Sequence, residues 1–521
     1  NQIILKVVII GALIFSGVQI FRFSNCQVDD AFIVYKYSEN LIDNGELAYN
    51  VGERINALTS PMHSLILSPF YGITGKTALM NKIIGIAFML IMFIMYFRTH
   101  KNNLLSILLF CGAVTCSSFL AFWVSGGLET IFLAFSVFIF VWYYFKAYHQ
   151  NSLKLLITTF FLGGLVFTFR FDSILFTGPV LLHLLIKNRY LDAVKLITLS
   201  LTGLVFPLLI LGFNYSYFGD IMPTSFYVKK PILGGVFHFL YNLTYTYDFL
   251  LNSGMLILIV LLAGISIFPK TNYPYKKWIR SHLGLVSGLF IFMVVYGTLT
   301  SRTHMMYSYR FYAPYLPILV LIILRPIDKI MYNAQEPHIS KIRLFGTIAA
   351  FLIIGLQFMN LVKMNSFSLG TSPLGEVSNV SLLEYQDNFI GVHSEAAETI
   401  RAHWQTHKPD INTQPRLYTF AGGYLPYLLK EFYTIEILGS YRHSLKNQTY
   451  DFKQYTHYYH HQIKGGASNE EIRALYGDQF EIIWHKQKEL GTLYSWVVMY
   501  NNTPKDIKFP VNINGDIIIK K

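Results

Sequence analysis

Two adjacent carboxylates, Asp29 and Asp30, follow the first hydrophobic segment and are the strongest candidates for chemistry in this chain. A charged side chain is costly near hydrocarbon, so a pair of acids beside a spanning helix indicates a functional site. Repulsion between adjacent carboxylates can raise the pKa of one of them, which leaves a group able to take a proton. The alternative is a helix N-cap, but one acid would suffice for that. We therefore interpret the pair as the acid/base centre of a membrane enzyme.

Two cations follow closely in the sequence, Lys36 and the Arg54 of a Gly-Glu-Arg turn at 52–54. A cation beside the acid pair could tune its pKa or bind a phosphate group. The alternative is a solvated turn with a surface salt bridge, which contributes little to stability. The residues alone leave both interpretations open.

Further candidates fall in the connectors between later hydrophobic segments. They are Glu129 within Gly-Gly-Leu-Glu-Thr (126–130), Arg170 and Asp172, Tyr227, Lys229 and Lys230 after Gly219-Asp220, and Arg302, His304 and Arg310. Glu129 could simply cap the next helix, Arg170 could simply pair with Asp172, and adjacent lysines could anchor to lipid phosphates. Because these connectors share one predicted side of the membrane, their basic side chains together suit a bound phosphate.

The absence of their motifs excludes several other kinds of site, among them a P-loop, a dinucleotide-binding fold and a zinc protease centre. The chain contains no Walker loop, no GxGxxG and no HExxH. The run HYYHH at 457–461 could bind metal, but no cysteine or carboxylate is close in sequence, so a solvated aromatic face is favoured. The acid pair could hold a divalent cation such as Mg²⁺ or Mn²⁺ together with a phosphate, and the sequence does not decide this. Three cysteines, Cys26, Cys111 and Cys116, predict no disulfide framework.

The composition is that of a polytopic membrane protein. The 521 residues are 53% hydrophobic and only 14% charged, where a soluble domain would be about a quarter charged. From Lys363 onward acidic and basic side chains are equal in number, so the net charge of +13 belongs to the hydrophobic part. This distribution favours positive-inside topology over a nucleic-acid-binding surface.

Eleven hydrophobic segments are predicted to span the membrane. They lie near 3–21, 78–97, 104–122, 128–145, 154–169, 173–186, 194–216, 248–268, 281–299, 312–324 and 342–362. The first is interpreted as a retained anchor, because it is too long for a signal-peptide core and no cleavage site follows it. Plain basic connectors alternate with the acid-, tyrosine- and glycine-containing ones, which places the basic connectors in the cytoplasm. The acid pair and the C-terminal region then share the opposite face.

Two domains are predicted. Residues 1–362 form the transmembrane catalytic domain, with a first outer loop at 22–77 that contains amphipathic segments at 32–43 and 62–74. Residues 363–521 have the pattern of a soluble α/β domain, in which strand-like runs such as FEIIWHK alternate with helix-like stretches. The run 366–376 is the predicted linker.

The order of motifs resembles that of GT-C glycosyltransferases, most of all the terminal arabinofuranosyltransferases of the mycobacterial cell wall. The resemblance rests on Asp-Asp-Ala-Phe-Ile (29–33), Gly-Gly-Leu-Glu-Thr (126–130), Gly-Asp-Ile-Met-Pro-Thr-Ser-Phe-Tyr-Val-Lys (219–229), Arg-Phe-Tyr-Ala-Pro-Tyr-Leu-Pro (310–317) and Ala-Gly-Gly-Tyr-Leu-Pro-Tyr (421–427). Two departures concern the acceptor: His63 in the first loop, and Gly-Ser-Tyr-Arg-His after position 438. The abundance of Ile, Lys, Asn, Phe and Tyr is also unlike mycobacterial proteins, which indicates another bacterium and another glycan.

The resemblance implies an inverting transfer of a sugar, such as arabinofuranose or another pentose, from a polyprenyl-phosphate donor to a cell-envelope glycan. It implies a multi-pass protein of the bacterial inner membrane with its site and C-terminal domain on the extracytoplasmic side. Asp29 would be the base, Asp30 would orient it or the acceptor, and Lys229, Arg302, His304 and Arg310 would meet the donor phosphate. A lipid A, protein or oligosaccharide transferase of the same fold, a flippase for lipid-linked sugars and a membrane-anchored scaffold remain as alternatives. The sequence shows no internal repeat of the kind that transporters usually have, so a transporter is not favoured.

Overall fold

The structure is a computed structural model. It describes residues 2–101, 103–150, 152–228, 236–267, 275–295, 307–333, 338–366, 391–407, 414–419, 422–436, 456–464, 468–476, 480–489 and 493–501. Lys229, Lys230, Arg302, His304 and the predicted linker at 366–376, apart from Ser366, lie outside these residues.

Helices make up most of the described chain. Their bounds are α1 (Gln2–Arg22), α2 (Asp29–Asp43), α3 (Pro61–Thr74), α4 (Thr77–His100), α5 (Leu104–Phe110), α6 (Ser118–Ser125), α7 (Thr130–Gln150), α8 (Leu153–Phe169), α9 (Ile174–Lys187), α10 (Ala193–Phe218), α11 (Thr224–Val228), α12 (Val236–Asn252), α13 (Met255–Ile267), α14 (Tyr275–Ser281), α15 (Leu283–Val294), α16 (Leu316–Asn333) and α17 (His338–Ser366). The C-terminal region adds α18 (Gly391–His407), α19 (Tyr424–Leu428) and α20 (Asn469–Tyr476).

Within the described residues, each predicted hydrophobic segment overlaps with one of these helices or with a bent pair of them. Within the described residues, four helices are long and apolar enough to cross a membrane, and six do so if each bent pair counts as one span. The four are α4, α7, α10 and α17. Several of them expose large apolar side chains outward, for example Leu208 on α10 and Phe351 on α17, as lipid-facing helices do. The count of eleven spans therefore stays a prediction, while the helical membrane fold is confirmed.

One bent pair shows how a break is tolerated at membrane depth. Helices α5 and α6 meet at 49° across a π-helical turn at Cys111–Thr115. The backbone amide of Ser118 donates to Gln357 Oε1 at 3.1 Å, and the Ser118 hydroxyl donates to the Gln357 carbonyl at 2.8 Å. A side chain of α17 therefore satisfies backbone that the break would otherwise leave unpaired in hydrocarbon.

The first outer loop is built from α2 and α3, which pack against each other close to the predicted bounds of 32–43 and 62–74. Buried serines allow the close approach, since the hydroxyls of Ser38 and Ser64 are 3.0 Å apart. The Asn40 amide donates to the carbonyl of Ala48 at 2.9 Å, which folds the following turn back onto α2. The loop is thus a fixed platform for the residues at its start.

The described part of the C-terminal region contains one mixed sheet of five strands, in the order β2-β1-β3-β5-β4. The strands are β1 (Arg416–Thr419), β2 (Tyr433–Glu436), β3 (His457–Lys464), β4 (Phe480–Glu489) and β5 (Leu493–Asn501). β1 is parallel to β2 and β3, whereas β5 is antiparallel to β3 and β4. Helix α18 covers the sheet with buried Val392 and Ile400, which confirms the predicted mixed α/β character.

The sheet domain rests directly on the first outer loop through polar contacts. The Tyr49 hydroxyl donates to the Gly422 carbonyl at 2.5 Å. Asn50 forms two hydrogen bonds with the backbone of Thr434, at 2.9 and 3.2 Å. The Tyr433 hydroxyl donates to the carboxylate of Glu53. These contacts bring residues 422–434 over the loop that begins with the acid pair.

Candidate active site

Asp29 is the first residue of α2, and two backbone contacts fix its position. The amide of Val28, just before it, donates to the carbonyl of Gly126 at 3.0 Å. The amide of Tyr424, in the sheet domain, donates to Asp29 Oδ1 at 2.7 Å. The carboxyl therefore lies between the 126–130 connector and the C-terminal domain.

The surroundings of Asp29 favour its protonated form. Burial by the surrounding protein raises the pKa of the Asp29 carboxyl to about 7, even though its side chain keeps some exposed surface. The hydrogen bond from Tyr424 lowers this pKa, the Asp30 carboxylate raises it, and the Gly423 backbone lowers it again. Burial outweighs the other effects, and the predicted repulsion from Asp30 is present but secondary. The result is a carboxyl that exchanges its proton near neutral pH.

Asp30 begins a chain of ion pairs. Its carboxylate lies 3.6 Å from Arg310 Nη1, and Nη2 of the same guanidinium lies 3.5 Å from Glu129 Oε1. Glu129 Oε1 also accepts from Arg170 Nη1 at 2.7 Å. Arg170 in turn binds Asp172 through its Nε, at 3.0 Å from Oδ1, and through Nη2. Residues from α2 and three separate connectors thus meet in one network.

Glu129 is the ionised counterpart of Asp29. Its side chain is 1% exposed, and burial opposes ionisation, but the Arg310 and Arg170 guanidiniums outweigh burial and lower its pKa to about 2. Among the described residues, the second carboxylate oxygen, Oε2, and Arg310 Nε are buried without a hydrogen-bond partner. Buried polar atoms are normally paired, so the lack of a partner at these two atoms is unusual.

Arg310 is presented by an unusual piece of backbone. Ser308 and Tyr309 have φ values of 44° and 52°, in the left-handed region that residues with a side chain rarely adopt. Trp123 Nε1 donates to the Ser308 carbonyl at 3.0 Å, and the Asn252 amide donates to the Tyr309 hydroxyl at 3.0 Å. Strained backbone of this kind persists where its surroundings hold it, and such positions cluster at functional sites.

The Gly-Gly pair before Glu129 has a steric reason. Gly127 has a φ of +87°, and a Cβ there would lie 2.5 Å from the Tyr35 hydroxyl and 2.6 Å from the Ala31 Cβ. Only glycine allows this connector to touch α2 so closely. The connector thereby places Glu129 beside the helix that carries Asp29 and Asp30.

Other predicted residues lie away from the network. Arg54 stacks on the ring of Tyr217, 4.8 Å from its centroid, at the end of α10. Lys36 is 3% exposed and lies 4.2 Å above the Tyr49 ring, and its ammonium has no hydrogen-bond partner among the described residues. The pKa of Lys36 is lowered to about 7, mainly by burial and also by nearby Lys430, while Glu431 opposes both effects.

The predicted connector that begins at Gly219-Asp220 is only partly described. Thr224, at the start of α11, is bonded to the Asn56 carbonyl through both its amide, at 2.8 Å, and its hydroxyl, at 2.9 Å. This brings the connector to the first outer loop. Tyr227 lies on α11, and Lys229, Lys230, Arg302 and His304 are outside the described residues.

One prediction about the C-terminal domain is wrong. The first four residues of the run HYYHH do not form a solvated face, because β3 is a central strand in which His457, Tyr458, Tyr459 and His460 are at most 5% exposed. Within the described residues there is no group of three or more His, Cys, Asp or Glu side chains placed to hold a metal ion.

Sequence reasoning missed the contact between the C-terminal domain and Asp29. The resemblance drew attention to Gly423 and Tyr424, but nothing in the residue types indicated that the Tyr424 amide would bind Asp29. Tyr459 on β3 is also near enough for the Asp29 charge to help burial raise the pKa of its phenol. A backbone donor has no signature in sequence, since every residue except proline carries one.

The fold is similar to that of solved ArnT structures from Cupriavidus metallidurans. The structure of ArnT in the apo state is 13% identical with a TM-score of 0.56, and the match covers 94% of this chain and 97% of that chain. The structure of ArnT bound to undecaprenyl phosphate is 10% identical with a TM-score of 0.53 and the same coverage. At these identities the likeness shows a shared fold over nearly the whole of both chains. No protein-family model and no curated protein matches the sequence.

Proposed function

We propose that this protein is an inverting glycosyltransferase that takes a sugar from a polyprenyl-phosphate donor. The observation that carries the proposal is the Asp29 carboxyl, with a pKa of about 7, beside the ion-pair chain from Asp30 through Arg310 to Glu129. A general base works best when its pKa lies near the operating pH. The chain shares the fold of ArnT, one of whose structures is bound to undecaprenyl phosphate, which supports a lipid-phosphate donor.

In the proposed reaction, ionised Asp29 takes the proton of an acceptor hydroxyl. The acceptor oxygen then forms a bond to the anomeric carbon on the face opposite the leaving group. The bond between that carbon and the phosphate oxygen breaks, and its electron pair leaves with the polyprenyl phosphate. Asp29 later releases its proton to water. A single displacement of this kind inverts the anomeric configuration.

Arg310 is the described residue best suited to the leaving phosphate. Its ion pairs with Asp30 and Glu129 are long, at 3.6 and 3.5 Å, and its Nε has no partner among the described residues. A guanidinium held in this way can bind phosphate oxygens and stabilise the charge that develops on them. We propose that Lys229, Lys230, Arg302 and His304, from the two adjoining connectors, assist it. Arg170 and Asp172 would hold Glu129 in place.

We propose that the site faces away from the cytoplasm. The helix ends opposite Asp29 carry plain basic residues, among them Arg98 on α4, Lys187 on α9 and Lys195 on α10. By the positive-inside rule, this basic end is cytoplasmic. The protein would then be a multi-pass protein of the bacterial inner membrane, with residues 363–521 as its extracytoplasmic domain.

The sugar and the acceptor are proposed from the sequence resemblance alone. It favours arabinofuranose or another pentose, transferred to a cell-envelope glycan. The aromatic rings of Phe32, Tyr424 and Tyr427 lie together where the two domains meet, with centroids 4.5 and 5.1 Å from that of Phe32. We propose that the acceptor binds beside them.

The test is release of polyprenyl phosphate by purified protein from a panel of polyprenyl-phosphate pentoses and hexoses, with a cell-envelope glycan as acceptor. Asp29→Asn should lower turnover by about 10²- to 10⁴-fold, the usual contribution of a general base. Asp192→Asn is the matched control. It makes the same change at an exposed N-cap of α10, where Asn caps as well as Asp.

Each outcome is decisive. Turnover of one donor by the wild type, with loss in Asp29→Asn and not in Asp192→Asn, identifies both the reaction and its sugar. Intact donor throughout, together with movement of labelled lipid across liposomes, overturns the transferase and favours the flippase. Equal turnover by Asp29→Asn and the wild type removes Asp29 as the base.

A further inference from the structure

The contact between the C-terminal domain and Asp29 is closer than domain packing requires. A Cβ added at Gly423 would lie 2.0 Å from the Asp29 carbonyl oxygen and 2.5 Å from its Cγ. No side chain fits at those distances, so position 423 allows the backbone of this segment to reach the carboxyl. The next amide, that of Tyr424, uses this access to donate to Oδ1 at 2.7 Å.

The same segment is fastened to the first outer loop on both sides of this contact. Buried Glu39, nearly three turns from Asp29, accepts from the Tyr427 hydroxyl at 2.9 Å and from the Lys430 ammonium. Gly422 accepts from Tyr49 at 2.5 Å. The Tyr424 amide is therefore held at Asp29 by neighbours before and after it, and its geometry does not depend on a single bond.

We infer that the C-terminal domain completes the acid/base centre, with the backbone of Gly423 and Tyr424 as the positioning element that orients the Asp29 carboxyl and sets its proton affinity. The inference deepens the proposed function and rests on Asp29 as the base. A carboxylate that accepts a hydrogen bond holds its proton less tightly, so the amide favours the form that can act as a base.

Few titratable groups surround Asp29 in the described structure. Asp30 lies beside it on α2, Tyr459 faces it from β3, and Arg310 lies beyond Asp30. The Asp30 charge raises the pKa of Asp29, as burial does. The backbone donors at Gly423 and Tyr424 are the groups that lower this pKa. Their removal should raise it further.

The test compares Tyr424→Pro with Tyr424→Ala. Both variants lose the aromatic ring, but only proline also removes the amide that binds Asp29. Tyr424 is the first residue of α19, a position where proline is tolerated. The readout is labelling of Asp29 by a hydrophobic carbodiimide, which reacts with protonated carboxyls. Mass spectrometry of the Asp29 peptide is followed from pH 5 to pH 9 in the full-length protein.

In Tyr424→Ala, labelling of Asp29 should decrease as the pH rises, with a midpoint pH near that of the wild type. In Tyr424→Pro the midpoint should rise by about one pH unit, a tenfold change in proton affinity. Gly423→Ala, which pushes the segment away from Asp29, should also raise it. Gly355→Ala, where a Cβ meets nothing within 4 Å, is the matched glycine control.

Equal midpoints in the proline and alanine variants, with Gly423→Ala also unshifted, would overturn the inference. Labelling requires no turnover, so it separates this inference from the proposed reaction. If the midpoint shifts but no donor is turned over, the domain tunes Asp29 and the proposed function fails. If turnover is present, its pH midpoint should move with the labelling midpoint, whereas loss of domain docking alone would lower the rate equally at every pH.

Discussion

Asp29 and Glu129 lie in the same site, yet their surroundings act on them in opposite directions. Both carboxyls are enclosed by protein, which by itself disfavours the charged form. Glu129 is bonded to Arg170 at 2.7 Å and lies 3.5 Å from Arg310, and its pKa falls to about 2. Among the described residues, the donors to Asp29 are backbone amides and its neighbour is an acid, and its pKa rises to about 7.

The difference separates two roles within one cluster. Where the pKa values of neighbouring acids are driven apart, the raised one can exchange protons and the lowered one is a permanent charge. Asp29 therefore suits proton transfer, whereas Glu129 suits the holding of two arginines.

The largest effect should come from Glu129→Gln. This change leaves Arg170 and Arg310, whose side chains are 14% and 10% exposed, without their shared carboxylate. Breaking a buried ion pair costs about 3–5 kcal/mol when it leaves a charge uncompensated, and because Arg170 keeps Asp172 and Arg310 keeps Asp30, the lower end of that range applies. We expect a loss of this size in the free energy of unfolding in detergent. Glu395→Gln, at an exposed ion pair with Lys486, should change it by less than about 1 kcal/mol. Equal effects of the two variants would contradict the role of Glu129.

Gly127→Ala tests how the two carboxyls are brought together. Alanine at a φ of +87° is strained, and its Cβ would meet the Tyr35 hydroxyl at 2.5 Å and the Ala31 Cβ at 2.6 Å. We expect a loss of about 1–3 kcal/mol in the free energy of unfolding, measured by denaturation in detergent. Gly212→Ala on α10, where a Cβ meets nothing within 4 Å, should be neutral or slightly stabilising. An unchanged stability of Gly127→Ala would show that the connector can shift away from α2.

The helices of this site were predictable, because hydrophobic length and amphipathic period are local properties. Helices α2 and α3 begin three residues and one residue before the predicted segments and end where those segments end. The pairing of Arg170 with Asp172 was also foreseen as one interpretation, since the two are neighbours in sequence. Local spacing carries this kind of information directly.

The groups that surround Asp29 and set its pKa were not predictable from the sequence, for two physical reasons. Tyr424 is 395 positions from Asp29 and contributes a backbone amide, which residue type does not reveal. Sequence proximity also misled, because Lys36 is seven residues from Asp29 on α2, and seven residues of helix advance about 10 Å. The structure accordingly places Lys36 against Tyr49 rather than in the ion-pair network.

The pH dependence of turnover tests the Asp29 side of the comparison. Asp29 must be ionised to accept a proton, so kcat/KM should rise with pH and level off above about 7. Below that midpoint it should fall about tenfold per pH unit, since the ionised fraction does so. Glu129 stays ionised across this range and should add no midpoint of its own above about pH 2. Initial rates from pH 5 to pH 9 measure this, and a flat profile would assign proton transfer to another group.

The smallest expected effect concerns Lys36, a buried charge that the network does not use. Its pKa is lowered from the ordinary value of 10.5 to about 7, so between these pH values the unfolded chain binds the proton and the folded protein does not. Stability should therefore rise with pH across that window. Lys36→Met keeps the apolar stem, removes the unpaired ammonium and loses the contact with Tyr49. We expect a net gain in the free energy of unfolding on the order of 1 kcal/mol at pH 7 that disappears by pH 10, because the wild-type penalty vanishes there.

Thermal unfolding from pH 7 to pH 10 measures this gain against Lys195→Met, which changes an exposed lysine paired with Asp192. A destabilised Lys36→Met protein would instead indicate that the ammonium has an anionic ligand in the folded protein.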